Sequence, residues 1–171
     1  MDDITLQLER HYAETGPALL AYFRRRSATA TLADDLLQET FLRAWRQKDR
    51  MAAAVSVRAY LFGIARHVGA DVARRTRASE PLDEEHPDVA KEIPDDRIEA
   101  MRTAIAALPE THREPLHLKL QEELSYAEIA EVLNVPIGTV RSRLHHAVLR
   151  LQQVLNPTVN PTTHTTTSNE A

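Results

Sequence analysis

The chain has 171 residues, 43% hydrophobic, 27% charged and 5% aromatic, and its 21 Lys and Arg stand against 25 Asp and Glu for a formal net charge of −4. Four Gly among abundant helix formers point to an all-α fold, the length suits one ordinary domain or two small ones, and zero Cys excludes a disulfide framework, a thiolate metal site and a cysteine nucleophile. The net acidity runs against the simple expectation that a nucleic-acid binder is basic.

In chain order, an acidic start (Met1, Asp2, Asp3) is unlike a secretory signal, and no apolar run approaches the roughly 18 residues of a membrane span. The sequence therefore reads as cytoplasmic, with no membrane insertion. A first helix carries Leu6, Leu8 and Tyr12 and is expected to break at Gly16-Pro17, with a second segment over Ala18 to Arg26. The next starts near Asp34, whose carboxylate and that of Asp35 suit the positive end of a helix. Its Leu36, Leu37, Phe41, Leu42, Ala44 and Trp45 form one stripe opposite an acidic-polar face of Asp34, Asp35, Gln38 and Glu39. A further helix over Val57 to Arg77 carries Leu61, Ile64, Ala65 and Val68 inward. Its Arg58, Arg66, Arg74, Arg75 and Arg77 against the single acid Asp71 give a net of +4, more than capping requires, which favours contact with a nucleic-acid backbone over a solvated face.

The stretch Ser79 to Glu99 holds nine acidic and two basic residues and is broken by Pro81, Pro87 and Pro94. It reads as an extended, flexible linker of net −7 that leaves the rest of the chain at about +3. A helix marked by Ile98, Met101, Ile105 and Leu108 follows, then one with Leu116, Leu118 and Leu120. Ser125-Tyr126-Ala127-Glu128 is a capping box, in which hydroxyl and carboxylate satisfy backbone donors reciprocally. It opens a short helix that stops at Asn134. After Pro136 another begins, with Val140, Leu144, Ala147, Val148, Leu151 and Leu155 at steps of three and four. From Pro157 the chain is Thr-rich, nearly devoid of apolar residues, and reads as a disordered tail.

Capped helix, tight turn and second helix make Ser125 to Arg150 a helix-turn-helix. The second helix presents Thr139, Arg141, Ser142, Arg143, His145 and His146, and no acid occurs from Pro136 to Leu155. That combination suits a major groove, where Arg forks onto guanine or clamps phosphate. A solvated face of an ordinary helical hairpin is the competing reading, and the coincidence of cap, turn and charge bias counts against it. His145-His146 and His112 with His117 do not fit a metal pair, since helical ligands recur about four apart, while neighbours diverge by about 100° and a spacing of five by about 140°. No metal or cofactor is expected.

Three motifs in register now carry a resemblance: DDLLQETFLRAWR from Asp34, AYLFGIARHVGADVARRTR from Ala59, and LPETHREPLHLKLQEELSYAEIAEVLNVPIGTVRSRLHHAVLRL from Leu108. Together they resemble an extracytoplasmic-function sigma factor of bacterial RNA polymerase, over roughly residues 5 to 155. The resemblance implies two small helical domains on a flexible acidic linker: 1–78, docking on core polymerase and opening the −10 element; 79–96, the linker; 97–155, reading the −35 element with the helix-turn-helix; and 156–171, the tail. It implies that Asp34, Asp35, Gln38, Glu39 and Arg43 face the polymerase, with Trp45 as much a core candidate as a docking one. It also implies that Tyr60, Phe62, His67, Asp71, Arg74, Arg75 and Arg77 handle the −10 element, and that Thr139, Arg141, Ser142, Arg143, His145 and His146 handle the −35 element. The loop from Gln47 to Ser56 lies where family members set specificity for a flipped base. The chain departs from the family at His67, where Asn is usual. Core RNA polymerase, promoter DNA and an anti-sigma factor are the implied partners, with no small-molecule substrate.

A stand-alone helix-turn-helix regulator is the alternative, but it leaves the acidic face at Asp34 to Glu39 and the basic end at Arg74 to Arg77 as coincidences. An enzyme is disfavoured: adjacent Asp34 and Asp35 diverge on a helix, and neither a phosphate-cradling Gly loop nor a nucleophile elbow is present. An acid-free helix likewise counts against a pure protein adaptor.

Overall fold

A computed structural model describes residues 3–27, 29–79 and 96–155. Among them the chain forms α1 (Asp3–Arg24), α2 (Ala30–Arg46), α3 (Lys48–Ala52), α4 (Val57–Ser79), α5 (Asp96–Ala106), α6 (Glu110–Leu120), α7 (Tyr126–Leu133) and α8 (Ile137–Leu155), and no strand. The all-α expectation agrees with this. The linker and tail assignments fall on 80–95 and 156–171, outside the described residues.

The expected break at Gly16-Pro17 does not occur, because α1 runs through it. A proline inside a helix costs roughly 3 kcal/mol, partly through its clash with the preceding residue. Here that residue is glycine, with no Cβ to clash, and the Tyr12 ring lies 3.8 Å from where one would sit. Beyond the proline, Leu19, Tyr22 and Phe23 are buried. At about 1.5–3 kcal/mol for each such side chain, they outweigh the defect.

Helix α2 begins a turn earlier than the acidic pair suggests. Thr29 is its N-cap, in extended conformation with its hydroxyl accepting from the Leu32 amide, so Asp34 and Asp35 lie beyond the first turn. Ala33, Leu36, Leu37, Phe41 and Ala44 are buried, whereas Leu42 (51% exposed) and Trp45 (39% exposed) leave the apolar stripe for the surface. Trp45 is therefore not core. Part of the Gln47 to Ser56 loop is helical, as α3.

Helices α1, α2 and α4 pack around one centre, in which Tyr22 meets Phe62 edge-on at 5.6 Å between ring centroids. In the second block α6, α7 and α8 enclose Leu116, Leu118, Ile129, Val140 and Leu144. Ile98 and Met101 of α5 and Leu120 of α6 are exposed.

The two blocks are not held apart. Helix α4 packs along α7, and the buried residues of both halves join in one continuous cluster. The contact runs past Gly63, where a Cβ would make an ordinary van der Waals contact 3.9 Å from the Val132 Cα. The two blocks, expected as small helical domains on a flexible linker, bring complementary faces together.

Candidate nucleic-acid interface

The second block contains the capped helix, turn and second helix that the sequence suggests. Ser125 caps α7, its hydroxyl accepting from the Glu128 amide while the Glu128 carboxylate accepts from the Ser125 amide at 2.9 Å. Asn134 ends α7 in the left-handed region, at φ 52°, where Asn is tolerated. The chain then enters α8 directly. Buried Val140, Leu144 and Ala147 fix the rotation of α8, leaving Arg141, Ser142, His145 and His146 exposed and Thr139 and Arg143 half-buried. His146 is held in place: its Nδ1 is 2.8 Å from the Ser142 carbonyl, and its ring stacks on His112 with centroids 6.0 Å apart. A donating Nδ1–H leaves Nε2 as an outward acceptor. At Gly138, near the start of α8, a Cβ would meet nothing within 4 Å, so packing does not require glycine there.

On α4, Tyr60, His67, Asp71 and Arg74 recur at seven, four and three residues, one face of a helix. Tyr60 is half-buried, and burial pushes its hydroxyl above the ordinary range. His67, Arg74 and Arg75 are exposed. Phe62 is not on this face: it is fully buried against Tyr22, with the Arg58 guanidinium 5.8 Å from its ring centre, and offers no surface for base stacking in this arrangement. The Arg77 side chain lies outside the described residues.

The acidic-polar face of α2 is solvent-facing at Asp34, Asp35 and Gln38. Glu39 and Arg43 are turned elsewhere. Arg43 donates through Nε to Glu39 at 2.7 Å and through Nη1 to Asp71 at 2.9 Å, and Asp71 also accepts from Arg74. Hydrogen bonds from Arg43 and Arg74 hold the Asp71 carboxyl below the usual carboxylate range. Arg43 thus ties α2 to α4, joining a residue expected at the polymerase face to two expected at the −10 element.

Arg58 and Arg66, counted in the sequence with the nucleic-acid-facing arginines, turn away from the Tyr60–His67 face. Arg58 donates to the Glu122 carbonyl at 2.8 Å, and Arg66 donates to both carboxylate oxygens of Glu114, at 2.7 and 3.3 Å. Arg25 pairs with Glu122, which is 3% exposed and whose carboxyl is pushed up by burial despite that partner. Ser56 donates to Glu128 at 2.6 Å, and the Val55 amide to Glu131 at 3.1 Å. This polar seam escapes sequence reading because its partners are 48 to 97 residues apart. Charge bias is the one signal available: Glu110, Glu114, Glu122, Glu123, Glu128 and Glu131 precede the acid-free α8.

Among the described residues no group of three or more His, Asp or Glu is placed to hold a metal, and no helix is long and apolar enough to cross a membrane.

Residues 11–79 match the family model of Sigma-70 region 2, and residues 98–151 that of Sigma-70, region 4. The chain is 33% identical over 144 residues to the ECF RNA polymerase sigma factor EcfG of Rhodopseudomonas palustris, covering 81% of this chain and 80% of that protein. It is 33% identical over 154 residues to the ECF RNA polymerase sigma factor SigL of Mycobacterium tuberculosis, covering 84% and 86%. Among solved structures, the sigma factor RpoE in complex with the anti-sigma factor NepR from Bartonella quintana superposes with TM-score 0.68 at 26% identity, over 87% of this chain and 96% of that one. CnrH in complex with the cytosolic domain of CnrY gives TM-score 0.62 at 26% identity, over 88% of each chain.

Proposed function

The chain belongs to the extracytoplasmic-function sigma factors of bacterial RNA polymerase, and from that premise we propose which of its surfaces meets which partner. As a sigma factor it binds core RNA polymerase and directs promoter recognition and transcription initiation. The functional division is 1–78 for polymerase docking and the −10 element, 79–96 for the linker and 97–155 for the −35 element, with 156–171 as an inert tail. The protein works in the cytoplasm, where its polymerase is, and carries out no catalysis itself.

The observation that carries the −35 assignment is the exposed, acid-free face of α8. Arg141 and Arg143 supply forks for guanine or phosphate, Ser142 and Thr139 supply hydroxyls, and His145 and His146 supply ring nitrogens. The −10 assignment rests on the shared α4 face of Tyr60, His67, Asp71, Arg74 and Arg75, beside the loop that includes α3. Opening a promoter requires a base to leave the stack, so a half-buried aromatic and cationic side chains farther along the same helix have the required chemistry. Phe62 supports that face from the core rather than touching DNA. Asp34, Asp35 and Gln38 form the polymerase-facing surface, while Glu39 and Arg43 act through their link to Asp71.

A protein inhibitor is part of the proposal. One of the similar solved structures is of a sigma factor in complex with the anti-sigma factor NepR, and another is of CnrH in complex with the cytosolic domain of CnrY. An anti-sigma factor holding this chain inactive is the corresponding reading.

Transcription by reconstituted polymerase on a promoter library tests role and specificity together. Initiation that depends on this chain and selects a common pair of elements is the expected result. Binding to duplex DNA without any polymerase-dependent initiation would favour the stand-alone regulator instead.

A further inference from the structure

The side chains on the outer face of α8 are poor in fixed hydrogen-bond acceptors. Arg141 and Arg143 carry donors alone, and the hydroxyls of Thr139 and Ser142 rotate to act in either sense. No Asp, Glu, Asn or Gln occurs from Ile137 to Leu151, so the residue types that accept from adenine or cytosine edges are missing from this face. His146 supplies the acceptor in their place. Its Nδ1 lies 2.8 Å from the Ser142 carbonyl oxygen and 3.4 Å from the Ser142 hydroxyl. A carbonyl oxygen can only accept, so Nδ1 carries the proton and the neutral ring keeps its lone pair on Nε2.

The ring is also bracketed. His112, in the first turn of α6, stacks on its face with centroids 6.0 Å and planes 19° apart, and His145 meets it edge-on at 5.9 Å. His112 is not placed there by a bond of its own, since its Nδ1 is buried and finds no partner among the described residues. Burial, and then the charges of Arg150, His146 and Arg143, holds the His112 pKa below the ordinary imidazole range, so the face it presents is neutral at pH 7. The bond at Nδ1 fixes the tautomer of His146, and the stack fixes its tilt. Together they aim one acceptor out of a face of donors.

We propose that His146 is a specificity-determining residue whose Nε2 accepts from the exocyclic amine of adenine or cytosine in the major groove, and that His112 is the positioning residue that holds it there. The inference rests on the assignment of α8 to the −35 element. The amine is N6 of adenine or N4 of cytosine, whereas guanine and thymine present an oxygen at that edge, which a ring lone pair repels. On the strand that His146 faces, one position should therefore favour an amino base over a keto base by about tenfold.

Core polymerase carrying the full chain is measured for affinity on promoters in which each position of the −35 element is varied in turn. Where the preferred base is adenine, purine in its place removes only N6; where it is cytosine, pyrimidin-2-one removes only N4. Either replacement should cost the parent chain about tenfold and cost His146→Ala less than about twofold. His146→Arg, which can only donate, should turn the same position to guanine and leave the others as they were. His112→Ala should cut the preference at that position to below about threefold, with smaller changes elsewhere, and His112→Phe, which keeps a flat face, should restore it. A parent preference for guanine or thymine at the position that His146→Arg alters overturns the inference, as does indifference there. A loss on His112→Ala spread evenly over all positions, or one that Phe does not restore, overturns the positioning role. If Arg141→Ala and Arg143→Ala leave every base preference unchanged, the assignment of α8 to the −35 element fails and the inference falls with it. If they shift other positions while His146→Arg shifts none, that assignment stands and the inference alone falls.

Discussion

Ser56 donates its hydroxyl proton to Glu128 at 2.6 Å while its oxygen accepts from the Ala59 amide at 3.0 Å. The other oxygen of Glu128 accepts from the amide and hydroxyl of Ser125, at 2.9 and 2.8 Å. One carboxylate therefore serves the N-termini of two helices, α4 and α7, from opposite halves of the chain. Both helix ends are partially positive, which suits the single anion between them.

Removing that carboxylate should cost more than a cap. Burial pushes the Glu128 carboxyl upward, but hydrogen bonds from Ser56 and from the Ser125 amide and hydroxyl, with the charge of Arg58, bring it below the ordinary carboxylate value. A depressed carboxyl contributes stability above its unfolded pKa, near 4.3, and loses it as pH falls through the folded value. Glu128→Ala is expected to destabilise by about 2 kcal/mol at pH 7, one cap at about 1 kcal/mol plus the bond to Ser56. Glu128→Gln, which can still form the reciprocal cap, should cost less than half as much. Urea unfolding at pH 7 and pH 4 measures both, and the Ala variant should approach the parent chain at the lower pH.

His117 makes the fold acid-sensitive over a higher window. Burial, with the nearby charges of Arg26 and Arg113, lowers its pKa to about 4, against about 6.5 for an unfolded chain. The unfolded chain takes up this proton first, so stability from a neutral His117 is complete above pH 6.5 and declines as pH falls towards 4. Thermal unfolding should show Tm falling across that interval. His117→Gln should flatten the fall, and an unchanged slope would show that His117 does not govern it.

Glu123 has φ 54°, a left-handed conformation that costs an L-residue roughly 1 kcal/mol, and its side chain is exposed. Glu123→Gly is expected to raise stability by about 0.5–1 kcal/mol. At Asn134 the same substitution should change stability by only a few tenths, because Asn tolerates this conformation and the cap is already satisfied. Equal effects at the two positions would contradict this account.

Arg143→Ala should weaken binding to −35 duplex by about 1–3 kcal/mol if the side chain reads a base edge, with the loss largest for the cognate sequence. A uniform loss across sequences, with a salt slope reduced by about one, would reassign it to phosphate. Unchanged affinity and slope would remove it from the interface.

Asp35→Ala should lower association with core polymerase while leaving fold stability within about 0.5 kcal/mol, since the carboxylate is exposed beyond the first turn of α2. Arg43→Ala should differ in kind: it breaks the bonds to Glu39 and Asp71, so stability falls along with activity. Measuring unfolding and polymerase affinity on both variants separates a docking residue from a strut.

Features that depend on neighbours three or four residues away were legible in the chain itself. They include the all-helical class, the Ser125–Glu128 capping box, the stop at Asn134, and the burial of Val140, Leu144 and Ala147 that turns Arg141 and His145 outward. Each follows from helical periodicity and capping, which act locally. What tertiary structure alone decided is where side chains meet others distant in sequence. Phe62 became core, Arg43 a strut to Asp71, and Arg58 and Arg66 the rim of a seam. Pro17 stayed inside its helix because the side chains beyond it are buried. An arginine on a basic helix has the same local signature whether it meets a phosphate or a glutamate. Only the packing of α4 on α7 supplied the glutamate.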